Sequence, residues 1–534
     1  MTAASEFVCD GVHNAGNAPV RPRVTEVRRD VQDAERPAER ARVVDRRTVL
    51  CGAVAMAMAL LVYVNALHNP FVYDDYHTVI ANTSIQTLTN LRAIVMHDVT
   101  RPLVNFTYAL DRVAWGPAPF GFHLTSVLLH ALNVGLFVLF ARRAGVDRRA
   151  VFGASALFAV HPMLTEAVGY VSGRSEVLCA TFFLTAMLCQ QNWIRGRSAV
   201  WFAGMIAAWL AALLSKETAA MFPIVALMYD AIATSNDPQR AARVKRVYLP
   251  LIAMTAIVGL VRLFVLIRIE YPGQAAWHWR YLLLDADVFR RYVAMMFVPT
   301  GQALFHEVRA LNGIWQPRAL LDLAVVMAAV AGAWRLRRAS GVASVGIAWF
   351  MLLLVPSSVL IAFDQGEPMT EHRVYLASVG MFLAAAAGME AIAARLANRP
   401  LALRAGALVA LCAVVVSFVV DTRRRNDVWS SPISLWRESV ELAPSHPRPR
   451  LLLAESLQDA GRWDEAVDQS RIAVELRPSD PEAHVVLGKS LALSGRWNEA
   501  RGHFHDALEI DPANGPARRA VARMNEVERQ SATK

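Results

Sequence analysis

"NPFVYDDYH" (residues 69–77) sets two adjacent acids among aromatic side chains, directly after the first long apolar run of the chain at 48–66. Ionisable groups at the end of a membrane helix are costly unless solvated or paired, so the doublet is either a solvated turn or a working surface. Which reading holds depends on what else shares its side of the membrane. The chain has 534 residues, 55% of them hydrophobic and only 19% charged, with a mean hydropathy of +0.31. Apolar runs near the length that crosses a hydrocarbon core recur at 48–66, 123–140, 150–164, 176–194, 199–214, 219–233, 247–267, 319–334, 342–362, 374–394 and 402–420. That pattern predicts an all-α polytopic bundle of about eleven transmembrane helices.

The formal net charge of +10 reads as topology rather than as affinity for nucleic acid. Only Lys216, Lys245, Lys489 and Lys534 are lysines, so arginine carries nearly all the basic charge. With the Ala-rich spans, this bias points to a GC-rich bacterial genome and an inner-membrane protein. The arginines gather in "ARRAGVDRR" (141–149), "IRGR" (194–197), "DPQRAARVKR" (237–246), "RLRR" (335–338) and "RLANRPLALR" (395–404). All are expected on the cytoplasmic side. The assignment closes without conflict if 268–318 stays on the far side, so 286–303 is taken as interfacial or re-entrant rather than as a span. The polar residues 1–47 are expected to be a disordered cytoplasmic tail. The five cysteines (9, 51, 179, 189 and 412) show no metal or disulfide spacing.

Parity then places four charged stretches on one extracytoplasmic face: the doublet, "TEAVGYVSGRSE" (165–176), "LLSKETA" (213–219) and "EPMTEHRVY" (367–375). Asp74 and Asp75 suit a general base toward a hydroxyl, or a divalent cation such as Mg²⁺ or Mn²⁺. Glu166 and Arg174 bracket a short turn, either as an ion pair or with Arg174 free for a phosphate. Lys216–Glu217 carries the same two readings. In "EHRVY", Arg373 is the expected anion ligand, with Tyr375 packing or donating a hydrogen bond. His161–Pro162 predicts a break or kink, and His130 a buried hydrogen bond.

Beyond residue 425 the composition changes. "GRWDEA" (461–466) returns as "GRWNEA" (495–500), and Pro444, Pro478 and Pro512 keep the same spacing of 34 residues. Leu487, Gly488, Gly495, Ala500, Phe504, Ala507 and Pro512 fit the tetratricopeptide pattern. Residues 426–534 are therefore expected to form an extracytoplasmic α-solenoid behind a membrane domain at 48–425. In it, Trp463 and Trp497 would fill space between paired helices, and the surface would suit a peptide or protein ligand.

Together, "FVYDDYHTVIANTSI", "RPL" (101–103), "FHLTSVLLHALN" (122–133), "HPMLTEAVGYVSGRSEVL" (161–178), "SKET" (215–218), "EHRVYLAS" (371–378) and the repeats resemble the transmembrane and tetratricopeptide-repeat O-mannosyltransferases. More broadly, they resemble the GT-C glycosyltransferases. The resemblance implies an inverting transfer of a sugar, mannose on the family's pattern, from a polyprenyl- or dolichyl-phosphate donor to a protein or glycan hydroxyl. It implies Asp74 as base and Asp75 and Glu166 as orienting acids. Arg174, Lys216 and Arg373 would steady the leaving phosphate beside Glu217 and Tyr375, with no metal required. The competing reading is a non-catalytic membrane scaffold that recruits partners through its repeats.

Overall fold

The computed structural model describes residues 45–235, 237–270, 278–308, 311, 313–362 and 367–532. The tail expected at 1–47 lies almost wholly outside them. Among the described residues every regular element is helical.

Among the described residues, eight helices are long and apolar enough to cross a membrane. The first is α1 (Arg46–Val62), which begins where the Asp45 carboxylate accepts the Thr48 amide at 2.8 Å and so caps the free N–H groups of the first turn. After it come α2 (Leu91–His97) and α3 (Pro102–Trp115), two short helices outside the apolar set, and the long α4 (Pro119–Arg143). Helix α5 (Arg148–Val160) stops at His161, whose extended backbone is what a residue before proline adopts. The chain restarts at Pro162 on a line bent by 52° and runs through α6 (Thr165–Gly169), and taken together α5 and α6 are long and apolar enough for one broken span.

Next, α7 (Arg174–Gly196) is largely buried at the centre of the bundle. Of the eleven expected crossings, 199–214 and 219–233 are occupied by α8 (Ala199–Leu213) and α9 (Phe222–Ala233), of 15 and 12 residues. The 3-10 turn Glu217–Met221 leads directly into α9, and together they span about 28 Å, close to the thickness of a hydrocarbon core. The pair forms a hairpin with Ser215–Glu217 at its tip. Lys216 and Glu217 at the tip meet Glu176 and Arg101, while Arg197 and Asp237 close the base at the other end of the bundle, so the pair runs out and back and the sidedness of everything downstream is unchanged.

Helix α10 (Leu249–Val265) and the later α12 (Pro317–Ala339) and α15 (Leu401–Val428) are barely covered by protein, as lipid-facing helices must be. Between them α11 (Arg280–Phe297) is amphipathic, and 286–303 is not among the apolar spans. Its buried Asp287 pairs with Arg290, Arg291 and Arg318, and Arg290 also meets Asp322, tying α11 to the start of α12. Helices α13 (Gly341–Ala362) and α14 (Val374–Leu396) cross closely at Gly346 and Gly380. A Cβ on either would lie 2.4–2.5 Å from the other glycine's carbonyl oxygen, a contact only glycine permits.

Helix α15 continues through the boundary expected at 425 into the solenoid. The solenoid comprises α16 (Pro432–Leu442), α17 (Pro447–Asp459), α18 (Trp463–Leu476), α19 (Pro481–Leu493), α20 (Trp497–Ile510) and α21 (Gly515–Ala532). Gly461 and Gly495 hold φ of +72° and +82° at the two helix turns, which explains their place in the repeated motif. Trp463 and Trp497 do not fill the gap between helices: they stand at helix starts, 44% and 55% exposed. Phe504, which packs on Gly488, does that work instead.

Candidate active site

The doublet loop, the 170–173 turn, the segment 302–306 and the first solenoid helix meet at one end of the bundle. Tyr73 lies edge-on to Phe305 and to Trp436 of α16, each at 5.7 Å between ring centres. Tyr170 donates its neighbourhood to the loop from the other side: its hydroxyl accepts the Asp74 amide at 3.0 Å, while its ring lies 5.4 Å from Trp429. Arg425–Glu438 and Ser445–Glu307 add polar contacts between the solenoid and the membrane domain. The arginine connectors collect at the opposite end, in pairs such as Arg148–Asp45, Arg197–Asp237 and Arg243–Asp230.

The two acids have opposite surroundings. Asp75 is fully buried, and its carboxylate accepts the Ser172 amide at 2.8 Å, the Ser172 hydroxyl at 2.6 Å and the Val72 amide at 3.2 Å. Burial pushes this carboxyl up to about 7 even though those donors pull it down. Asp74 is exposed, and among the described residues no hydrogen bond or ion pair engages its carboxylate. Tyr73, just before them, has φ of +51°, a left-handed conformation uncommon for a bulky residue, and the chain turns there. Asp75 is therefore the anchor of a turn that presents Asp74. Nor do the two acids meet a third metal-ligating side chain, so they make no cation cage among the described residues.

The titration of Asp75 has a measurable consequence. Its folded carboxyl holds a proton more tightly than an opened one, so the turn is most stable below pH about 4. It loses that contribution as pH rises toward about 7. Amide exchange corrected for intrinsic rate should therefore show protection at 72–78 and 170–173 falling by up to about tenfold per pH unit across that window, then levelling. Asp75→Asn should abolish the slope.

Next to the loop, Glu166 is buried, accepting the Glu371 amide at 2.9 Å and meeting His372 Nδ1 at 2.5 Å. Glu371, also buried, accepts the Ala303 amide at 2.7 Å and lies 3.1 Å from both His306 Nε2 and Gln302 Nε2. Glu166 thus fixes the 371–373 turn rather than reaching toward a ligand, and His372 is the group it presents. Besides Glu166, the charged groups around that imidazole include Lys216, Glu176, Arg373 and Arg101. Lys216 pairs with the buried Glu176 at 2.9 Å, and Arg101 meets both oxygens of Glu217 at 3.2 Å. Arg373 donates to the Glu367 carbonyl at 2.9 Å and, among the described residues, has no carboxylate partner. Tyr108 of α3 donates its hydroxyl to the Val171 carbonyl at 2.9 Å, in the turn whose Ser172 holds Asp75.

Two expected site residues lie elsewhere in the chemistry. Arg174 is entirely buried; it pairs with Asp111 at 2.5 Å and donates to the Phe122 carbonyl at 2.6 Å, to Thr107 and to Ser126. Its guanidinium also lies 4.6 Å from the centre of the Tyr108 ring, so no face is left for a phosphate. Tyr375 is a core strut: its hydroxyl lies 2.7 Å from His130 Nδ1 and accepts from Asn133 at 3.1 Å. Sequence reasoning missed Arg101, Glu176 and His372 as site residues. The "RPL" and "EHR" strings were the available signals.

Residues 451–515 match the tetratricopeptide repeat model. The chain is 36% identical over 154 residues to the Drosophila melanogaster protein O-mannosyl-transferase Tmtc1, covering 26% of this chain and 18% of that one. A Caenorhabditis elegans protein O-mannosyl-transferase, F38B6.6, aligns over 457 residues at 22% identity, covering 80% of this chain and 63% of the relative. The human protein O-mannosyl-transferase TMTC1 aligns over 494 residues at 25%, covering 78% and 54%. Over most of its length the chain is thus similar to O-mannosyl-transferases, at 22–25% identity, and it carries tetratricopeptide repeats at its C-terminal end. Among solved structures, ArnT from Cupriavidus metallidurans bound to undecaprenyl phosphate covers 87% of this chain and 79% of its own, at 15% identity and a TM-score of 0.37. The alignments with these three O-mannosyl-transferases span between 18% and 63% of the relatives' own lengths. The chain is distantly similar to these glycosyltransferases, and it is an integral membrane protein with several spans.

Proposed function

We propose that the chain is an inverting glycosyltransferase that moves a sugar, mannose by family likeness, from a polyprenyl-phosphate donor to a hydroxyl of a protein or glycan. The observation that carries this reading is the divided doublet. Asp75 spends its carboxylate on holding the turn, and Asp74 stands free at the end of the bundle that also gathers Arg101, Lys216 and Arg373. Asp74 takes the proton of the acceptor hydroxyl as that oxygen bonds to the anomeric carbon. The bond from that carbon to the phosphate oxygen breaks, and the lipid phosphate leaves with the electron pair. The cations steady the charge that gathers on it.

Of those cations, Arg373 is the one without a carboxylate partner among the described residues, and so the one with charge to spare. Arg373→Gln should lower kcat/KM for the lipid-phosphate donor by about 10- to 1000-fold with thermal unfolding unchanged. Unaltered donor kinetics would remove the phosphate role. No metal is needed for this scheme; if a divalent cation takes part, Asp74 is the member of the doublet free to meet it.

The site and the repeats lie on the extracytoplasmic side, the periplasm in a bacterium, a reading supported by the arginine connectors at the opposite end. Tyr73 against Trp436 puts the doublet at the root of the solenoid, in position for an acceptor presented by the repeats. The decisive experiment is transfer from polyprenyl-phosphate mannose to Ser/Thr peptides by the purified chain in detergent. Transfer lost in Asp74→Asn supports the reading. A native chain that binds partners through the repeats but turns over no lipid-linked sugar would favour the scaffold.

A further inference from the structure

In the second repeat, away from the membrane, three ligand-bearing side chains converge across the α19–α20 hairpin. His484 Nδ1 lies 3.3 Å from His503 Nδ1 and 3.5 Å from Asp506 Oδ2, and His503 Nδ1 lies 3.2 Å from the same carboxylate oxygen. We propose that His484, His503 and Asp506 form a binding site for one divalent transition-metal ion of the zinc class.

The spacing is the first argument. Imidazole nitrogen and carboxylate oxygen bind zinc at about 2.0–2.2 Å, so two ligands on a tetrahedral ion stand about 3.3–3.6 Å apart. All three separations fall at or just below that range, which places one point in space at bonding distance from every donor.

The protons are the second argument. His484 Nε2 lies 3.0 Å from the Pro478 carbonyl, which can only accept, so Nε2 carries a proton and neutral His484 turns the lone pair of Nδ1 into the cluster. Such a hydrogen bond behind a ligating imidazole fixes its tautomer and ring plane. His503 Nδ1 has at most one proton to give, and two acceptors face it. Whichever takes it, the other remains directed at a lone pair. One cation satisfies all three atoms.

Burial supplies the remaining features of a site. His484 is 7% exposed and held rigidly on α19, whereas Asp506 is about half exposed and leaves a fourth position open to water. His503 and Asp506 are three residues apart on α20 and so share one face. A bound ion would join the two helices of the repeat as a cross-link. This inference is independent of the glycosyltransferase reading.

The test uses the full-length chain in detergent, purified through a histidine-free tag, with zinc chloride titrated against a chromophoric chelator. One zinc per chain is expected, with His503→Gln and Asp506→Asn each weakening affinity at least about tenfold. Both substitutions are at partly exposed positions, and circular dichroism checks that the helices persist. The exposed neighbour serves as control: His505→Ala should leave affinity unchanged. X-ray absorption at the zinc edge should show a nitrogen and oxygen shell with imidazole scattering. Equal affinity in native chain and His503→Gln, or a zinc shell without imidazole, overturns the proposal.

Discussion

Asp74→Asn should lower transfer from a polyprenyl-phosphate sugar by about 10²- to 10⁴-fold, the usual contribution of a positioned base, while leaving the fold intact. The substitution keeps size and polarity and removes only the basic oxygen. Asp74 is exposed, and of its polar atoms the structure ties down only those of the backbone, the amide to Tyr170 and the carbonyl to Thr78 and His77. Unfolding temperature and donor binding should accordingly match the native chain, and the loss should fall on kcat. Asp75→Asn is the informative companion. An amide accepts at one oxygen only, so it cannot reproduce all three hydrogen bonds that Asp75 receives, and the turn should loosen. Its deficit should appear jointly in amide exchange and in turnover. If Asp74→Asn retains full turnover, the base lies elsewhere, and His372 becomes the next residue to substitute.

Arg174→Met should destabilise the membrane domain by about 3–5 kcal/mol, the range for removing one partner of a buried ion pair. The lost charge strands Asp111, whose carboxyl burial already raises despite the guanidinium beside it. Thr125 would remain its only strong donor, at 2.6 Å. Adding Asp111→Asn should recover most of the loss, because the stranded group then needs no counter-charge. Thermal unfolding of the single and double variants in detergent measures this directly. A contrary result is equally readable. Normal stability with weakened donor binding in Arg174→Met would return this arginine to the phosphate site and mean that its internal cage is dispensable.

The residues that separate these two outcomes looked alike in sequence. "SGRSE", "SKET" and "EHRVY" each offered a cation beside an acid at the end of an apolar run, with no local sign of which charge was already spent. The spending depends on remote partners. Glu166 meets His372 across 206 positions, Arg101 meets Glu217 across 116, and Tyr375 meets His130 across 245. The doublet shows the same limit: two identical acids, one chain position apart, are divided by a serine nearly a hundred residues on. Trp463 and Trp497 illustrate the converse error. Their recurrence at a fixed spacing was real, but a helix start can be exposed as readily as packed, and periodicity alone does not say which.

The sequence by itself determined the features that short windows of chain encode: the apolar runs that must be helices in lipid, the break at His161–Pro162, and the repeats marked by glycines whose φ only their turns require. Counting crossings from basic connectors also indicated which stretches share an end of the bundle, because solvation of arginine obeys a local rule. Only the tertiary structure decided which of the gathered charges are anchors and which are free. The physical reason is that a charge is silent or available according to its nearest counter-charge and its access to water, and both are set by neighbours the chain reaches only after folding.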